Sequence, residues 1–300
     1  MIMDKQISDV ANLEEVITVV DEVFHDPNMS MVPKVYLDCE KGDFRAMPAR
    51  VGNVAGVKWV SVHPGNTKVG KPTVQAVIIL NDAETGELLG MMDGTYITKL
   101  RTAAAAGVAT RLLANKDAQV AAFIGCGGQT QLHVEAVLHA LPNLKKLRFF
   151  DLDVKRSREV AGHFEHKEIV YAPSVQDCVK DADVVTTLTP STQPVVEGHW
   201  LMPGVHINAM GADAAGKREF DRNTYKRVDI WVYDEEEQAF HSGETQHRAT
   251  VSVTGCLMCS LSECLGRSTK DQITLFDSTG VAIQDIAVAN YILQKVNKGD

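Results

Sequence analysis

The stretch AAFIGCGGQTQLHVEAVLHAL, residues 121–141, reads as a strand, a glycine turn and a helix in direct succession. An apolar run ends at Ile124, Gly125 and Gly127 follow, and Val134, Leu138 and Leu141 then mark one face of a helix. The first glycine permits a tight turn and the second lets the backbone approach a pyrophosphate. The helix N-terminus adds amide donors and a partial positive charge. The third position of the G-x-G-x-x-G pattern holds Thr130, so the fingerprint is imperfect, and plain turn glycines would give the same letters. The next strand, KLRFFD, strengthens the reading because it ends at Asp151, somewhat beyond the usual spacing for a ribose-binding carboxylate. A carboxylate there accepts from two ribose hydroxyls and repels a 2′-phosphate. A dinucleotide site is expected, with NAD favoured over NADP, although Lys155 and Arg156 just beyond soften that preference.

Outward from this stretch the pattern differs on the two sides. After Asn115, strand-like runs alternate with helical ones, through EIVYA, DVVTTL, HINAMG, DIWVYD and ITLFDS. That alternation implies βαβ units, a parallel sheet and an α/β class. Before it, NLEEVITVVDEVF reads as a helix capped by Asn12, with Glu15 three residues on. Short strands and turns then run from Lys34 to about Leu80, and TKLRTAAAAGVATRLLA reads as a helix. The domain change is expected near residue 115. A terminal helix, IQDIAVANYILQKV, carries an apolar stripe of Ile286, Ala289, Leu293 and Val296 that the parallel sheet need not cover. It is expected to pack on the N-terminal domain, and the protein to be a homodimer.

Composition narrows the partners. Of 300 residues, 45% are hydrophobic and 23% charged, ordinary values for a globular protein with a sizeable core. A formal net charge of −9 argues against nucleic acid, which needs a basic face. The start, MIMDKQISD, has no signal-peptide pattern, and no apolar run is long enough to span a bilayer. Six cysteines in a chain this long do not make a disulfide scaffold. GCLMCSLSECLG holds three of them, but it reads as one short helix, and the chain has no second CxxC pair. No metal is expected there, and reduced thiols fit a cytoplasmic protein.

Four charges stand where apolar residues or turns are expected. Arg45 precedes a Met-Pro in GDFRAMPARV, Lys58 interrupts the strand GVKWV, and Arg101 opens the alanine-rich helix. A strand lysine ordinarily passes its ammonium out to water, and an arginine alone is as readily a surface ion pair. A cation at a helix N-terminus opposes the dipole unless an anion binds there, and an arginine fork suits a carboxylate. Asp213 lies just past a strand end, where ligands of open α/β sheets bind. It is a candidate acid/base, or else a turn or cap residue.

Taken in order, GDFRAMPA (42–49), GVKWVSVHPGN (56–66), PTVQA (72–76), TGELLGMMDGTYITKLRTAAAAG (85–107), FIGCGGQ (123–129), TTLTPSTQPVV (186–196), HINAMGADAAGKREFD (206–221), SGE (242–244) and FDSTGVAIQDIAVA (276–289) resemble the ornithine cyclodeaminase/mu-crystallin family, and within it the archaeal-type alanine dehydrogenases. The resemblance covers nearly the whole chain. It implies a Rossmann domain binding NAD at 116–280. It also implies a discontinuous α+β substrate-binding and dimerisation domain at 1–115 plus 281–300. By position, Arg45, Lys58 and Arg101 resemble the residues around the substrate carboxylate and reacting carbon, and Asp213 the catalytic carboxylate. Thr73 falls near the nicotinamide. Arg101, Thr102, Gly125, Gly127, Gly128, Gln129 and Asp151 resemble cofactor contacts, with Thr189 and Ser278 as weaker ones. The implied partner is a small amino or keto acid. Ornithine cyclodeaminases carry a glutamate two residues before the Met of the MP motif, whereas this chain has Arg45. At about 4 Å and an effective dielectric near 20, an arginine there would repel a δ-ammonium by roughly 4 kcal/mol. The expectation is therefore oxidation of L-alanine to pyruvate with NAD, ahead of ornithine or lysine cyclodeamination or ketimine reduction.

Overall fold

A computed structural model describes residues 1–248, 251 and 255–299. Among them the chain forms two units, Met1–Ala104 with Val281–Asp300, and Ala105–Gly280.

The first unit opens with α1 (Asp4–Val10) and α2 (Leu13–Phe24). Asn12 caps α2 by accepting from the amides of Glu14 and Glu15 at 2.9 and 3.2 Å. Strands β1 (Ser30–Met31), β2 (Val35–Cys39), β3 (Gly42–Val51), β4 (Val54–Val62), β5 (Val74–Asp82) and β6 (Leu88–Asp93) follow. They make an antiparallel sheet ordered β1-β3-β4-β5-β6, with β2 also on β3. Period-two alternation divides its faces. Arg45, Met47, Lys58, Val60, Ile78, Leu80 and Met92 lie on one face and are buried. Val35, Leu37, Phe44, Trp59, Ile79 and Met91 occupy the other.

Helix α3 (Thr95–Leu113) runs through the point where the units divide. Continuous alanine-rich helix leaves no compositional break at Ala104–Ala105. The pattern of the sequence changes only where the helix has ended, near residue 115.

In the second unit β7 (Val120–Ile124), α4 (Thr130–Ala140), β8 (Lys146–Phe150), α5 (Val154–Ala161), β9 (Glu168–Tyr171), α6 (Val175–Val179), β10 (Val184–Thr187), β11 (His206–Ala209), α7 (Arg222–Arg227), β12 (Ile230–Tyr233), α8 (Glu236–Ser242), α9 (Thr245–Arg248), β13 (Leu257–Ser260) and β14 (Thr274–Asp277) occur in that order. The eight strands are parallel, in the order β13-β12-β14-β11-β10-β7-β8-β9. Every residue of β10, β11, β12 and β14 is buried, as a parallel sheet covered on both faces requires. From β7 the chain goes one way to β8 and β9, and the other way to β10 and β11. The switch point therefore lies between β7 and β10, where open α/β sheets bind ligands. The fold is α/β, a Rossmann-type unit with a second, antiparallel-sheet unit.

The segment GCLMCSLSECLG departs from its expected helix. Leu257–Ser260 is strand β13, registered on Ile230–Tyr233 of β12. Edge pairing satisfies backbone groups that a helix would have paired internally, so the tertiary partner overrides a weak local preference.

The chain ends with α10 (Ala282–Lys298), which packs in the first unit on α2 and on β3, β4 and β5. Ile286, Ala289 and Leu293 are buried and Val296 is half-buried, so most of the apolar stripe is covered within the chain. Gly56 permits the close approach, since a Cβ there would lie 2.8 Å from Cδ1 of Ile286.

Candidate active site

In the second unit the glycine turn sits at the carboxyl end of β7. Gly125 has φ +90°, and a Cβ there would also meet the Leu188 carbonyl at 2.9 Å, so a glycine is required twice over. At Gly127 a Cβ would meet nothing within 4 Å, which leaves open space beside the backbone. Gly128 and Gln129 lead into α4, and the Gln129 Oε1 is buried without a hydrogen-bond partner. Thr130, the irregular third position, donates its hydroxyl to the Gly125 carbonyl at 2.8 Å and so ties the turn to the helix. Asp151 closes the loop. Its Oδ2 accepts from the Cys126 amide at 2.7 Å and its Oδ1 from the Asp153 amide at 2.8 Å. Burial pushes the Cys126 thiol up to about 11, so it is inert at neutral pH.

A cavity of about 770 Å³ opens over this turn, lined by Gly125, Gly127, Asp151, Arg156, Thr189 and Val195 among others. Its open glycine backbone, helix N-terminus and carboxylate suit a pyrophosphate and a ribose. Another cavity of about 750 Å³, beside Lys116, Arg267 and Lys270, contains none of the expected residues. The Arg267 guanidinium there is spent on the carbonyls of Leu113, Gly204 and Lys270.

Behind the carboxyl ends of the strands lie buried carboxylates that sequence reading missed. Glu219 accepts from the Thr187 hydroxyl at 2.6 Å, the Thr189 amide and hydroxyl at 2.8 and 2.7 Å, and the Gly211 amide at 2.8 Å. The Thr189 hydroxyl is therefore committed to Glu219. Glu244 accepts from the Glu219 amide and the Tyr225 hydroxyl, and Asp277 from the Glu244 and Thr245 amides. Burial pushes Glu244 up to about 8 and Asp277 up to about 7, and raises Glu219. Ser278 is buried, 3.4 Å from Asp234 through its hydroxyl. The signals were the SGE and FDS motifs, whose acidic letters nothing in the sequence marks as buried.

Asp213 lies in the loop beyond β11 and is ion-paired with Lys217. That pairing within GAD-x-x-GK also went unread.

In the first unit the cations meet under the sheet. Lys58 stands opposite Met47 and Ile78 on the strand pairs, with Arg45 diagonal to it across β3 and β4. Its side chain is 1% exposed, so it does not reach water. Val57 and Trp59 do not enclose it, because alternation sends them to the opposite face. Burial pushes the Lys58 ammonium down to about 7 and Arg101 adds to this, while Asp285 opposes it. The Lys58 Nζ lies 2.6 Å from Oδ2 of Asp285, and Arg101 donates from Nε to Oδ1 at 3.0 Å. Arg101 also donates to Oε1 of Gln284 at 3.1 Å.

Arg101 is not at a helix start. The helix begins at Thr95, so Arg101 sits in its second turn, where Asp285 and Gln284 of α10 accept from it. Arg45 donates to Asp43 at 2.6 Å and lies over the Tyr36 ring, 5.3 Å from its centroid. Thr102 donates to the Thr98 carbonyl at 2.6 Å, and Thr73 lies just before β5. Asp285 and Gln284 were missed because they read as the polar start of a terminal helix.

Among the described residues, no group of three or more His, Cys, Asp or Glu side chains is arranged for a metal ion. No helix among them is long and apolar enough to cross a membrane.

A Rossmann-type unit with an open glycine turn, joined to a unit carrying a buried lysine–arginine cluster, defines a two-unit α/β protein of the dinucleotide-binding kind. The chain belongs to the ornithine cyclodeaminase/mu-crystallin family, whose model matches residues 1–300. An alanine dehydrogenase of Archaeoglobus fulgidus is 40% identical, over 98% of this chain and 94% of that one. An archaeal alanine dehydrogenase dimer with bound NAD superposes with a TM-score of 0.94 at 38% identity, covering 100% of this chain and 96% of the other. The Thermococcus litoralis Δ1-pyrroline-2-carboxylate reductase, in complex with NADH and L-proline, also gives 0.94, at 30% identity over 99% and 97%.

Proposed function

We propose that the protein is an NAD-dependent amino-acid dehydrogenase that converts L-alanine, NAD+ and water to pyruvate, ammonium, NADH and a proton. The observation that carries this reading is the buried cluster of Lys58 and Arg101 with Arg45 on the same sheet face. A dry cation pair suits a carboxylate, and Arg45 stands where a cyclodeaminase would need a carboxylate for a second amine. The 40% identity to an alanine dehydrogenase supports the same choice.

The second unit would hold the cofactor at Gly125, Gly127, Gly128, Gln129 and Asp151, with Thr189 and Ser278 as weaker contacts. Bound NAD would supply the hydride acceptor. In the first unit Arg45 and Arg101 clamp the substrate carboxylate, which fixes the Cα–H for transfer. Lys58, whose ammonium burial pushes down to about 7, polarises the developing carbonyl oxygen and exchanges a proton with it. Asp213 takes a proton from the attacking water or from the substrate ammonium. On the same reading the protein is a cytoplasmic homodimer, with 1–115 plus 281–300 as the substrate and dimerisation domain.

Reduction of a cyclic ketimine is the second reading. The pyrroline-2-carboxylate reductase superposes as well as the alanine dehydrogenase does, and the cyclic imine in its name carries a single carboxylate, as alanine does. Incubation with NAD and a panel of amino acids, with products identified by mass, separates these. Pyruvate from alanine is the expected product. Efficient proline formation from ornithine would show that Arg45 does not face the substrate, and NADH-dependent reduction of pyrroline-2-carboxylate without alanine turnover would favour the second reading.

A further inference from the structure

We propose that Asp285 is a positioning residue of this site: its one carboxylate holds the Lys58 ammonium and the Arg101 guanidinium side by side and sets the proton affinity of Lys58. The proposal rests on the reading of Lys58 and Arg101 as the substrate's partners.

The geometry is specific. Asp285 is fully buried and gives one oxygen to each cation, Oδ2 to Lys58 and Oδ1 to Arg101. It stands in the first turn of α10, where the helix dipole favours a negative charge. The helix reaches these residues because its apolar face is seated on β3, β4 and β5. The sheet therefore fixes the backbone of Lys58, and α10 fixes the counter-charge above it.

Charge counting then points to the ligand. Lys58 and Arg101 bring two positive charges and Asp285 one negative, while Arg45 is already matched by Asp43. Lys34 is the further cation acting on Lys58. The group around Asp285 therefore carries more positive than negative charge in a dry site, which suits a carboxylate. Gln284 points the same way. Arginine can only donate, so the Gln284 oxygen must face Arg101. Its buried Nε2 is then a donor with no acceptor. Stability alone does not explain such an arrangement, because buried ion clusters contribute little net stability compared with apolar residues of similar volume.

The test reads Lys58 directly, in protein carrying 13Cε-labelled lysine, by NMR titration without substrate. The Lys58 signal is assigned by its absence in Lys58→Arg. In Asp285→Asn the Lys58 midpoint should fall by about one pH unit or more, since an opposing charge at this range is worth one to three units. The acid limb of kcat/KM should move by the same amount, while NADH affinity stays at the parental value. An unchanged Lys58 midpoint in a folded Asp285→Asn overturns the proposal. If that variant does not fold, Asp285→Glu decides. It keeps the charge, so the midpoint should stay near the parental one, while the added methylene displaces the cations and raises KM for the carboxylate substrate about tenfold. A parental KM in Asp285→Glu overturns the proposal. The titration needs no turnover, so its result stands even if the substrate proves not to be alanine.

Discussion

Lysine on a strand normally carries its ammonium past the neighbouring side chains to water, at little cost. Lys58 instead faces the inner side of its sheet, where desolvation works against the charge and Asp285 works for it. The anomaly was legible in the letters GVKWV because period-two alternation is a local property. Its resolution was not, because Asp285 lies 184 residues beyond Arg101 and arrives only with the return of α10. Asp151 was legible for the opposite reason: a strand end one βα step after a glycine turn is set by local connectivity. What the letters did not disclose is that both Asp151 oxygens also accept loop amides. Asp151→Ala would therefore loosen the turn as well as remove the ribose partner, and Asp151→Asn is the cleaner test. It keeps one of the two loop acceptors and the side chain's volume, and removes the charge that repels a 2′-phosphate. NADH should bind the parent more tightly than NADPH by at least tenfold, and the variant should narrow that gap about tenfold, as loss of one charge-assisted hydrogen bond implies. Equal affinity of the parent for both nucleotides, measured by fluorescence titration, would remove Asp151 from the ribose site.

The elements of the parallel sheet were readable as apolar runs, and the terminal helix as a 3.6-residue stripe. The short edge strand β13 was not, since four residues of mixed character take their conformation from the neighbour they pair with. The loops at the carboxyl ends were equally hidden, because they are tied by Glu219, Glu244 and Asp277, acidic letters that ordinarily mean surface. These ties have a consequence for stability. Glu244 has a folded value of about 8 against 4.5 when exposed. Between those values the unfolded chain releases a proton that the native state keeps, so this group's contribution to stability falls as pH rises. Asp277, about 7 against 3.8, has the same sign. His206, pushed down by burial to about 3 from 6.5, has the reverse sign, and its contribution is lost as pH falls below 6.5. Lys58 also opposes the acids, but only above pH 7. A difference measurement isolates Glu244. Glu244→Gln should gain stability relative to the parent as pH is raised from 5 to 8, by on the order of 2 kcal/mol in denaturant titrations. A pH-independent difference would show that Glu244 is ionised in the native protein.

At the scale of the whole molecule, an apolar surface remains after each unit has formed its core. The outer face of the antiparallel sheet presents Val35 and Leu37, 59% and 55% exposed, on β2, with Trp59 beside them on β4 and Met91 on β6. Phe44 stacks on Trp59 with ring centroids 5.4 Å apart, so the face is already ordered. The α10 stripe, the feature of the sequence that suggested self-association, is mostly consumed inside the chain. Among the described residues this sheet face is a continuous apolar surface on which two copies can meet. A stable dimer buries roughly 800 Å² on each partner, with aromatic and aliphatic anchors near the centre. A charge placed among such anchors is desolvated without a partner, at a cost of several kcal/mol. The double variant Leu37→Asp/Trp59→Asp should therefore sediment at the monomer mass at micromolar concentration, while the parent sediments at twice that mass. NADH affinity should be retained, because the glycine turn and Asp151 belong to the other unit. Lys58 neighbours Trp59 in the chain but points to the opposite face. Its titration should survive the change, which makes it a check that the sheet is still formed. A parent that is monomeric, or a double variant that remains dimeric with Lys58 unperturbed, would show that this face is not where two copies meet.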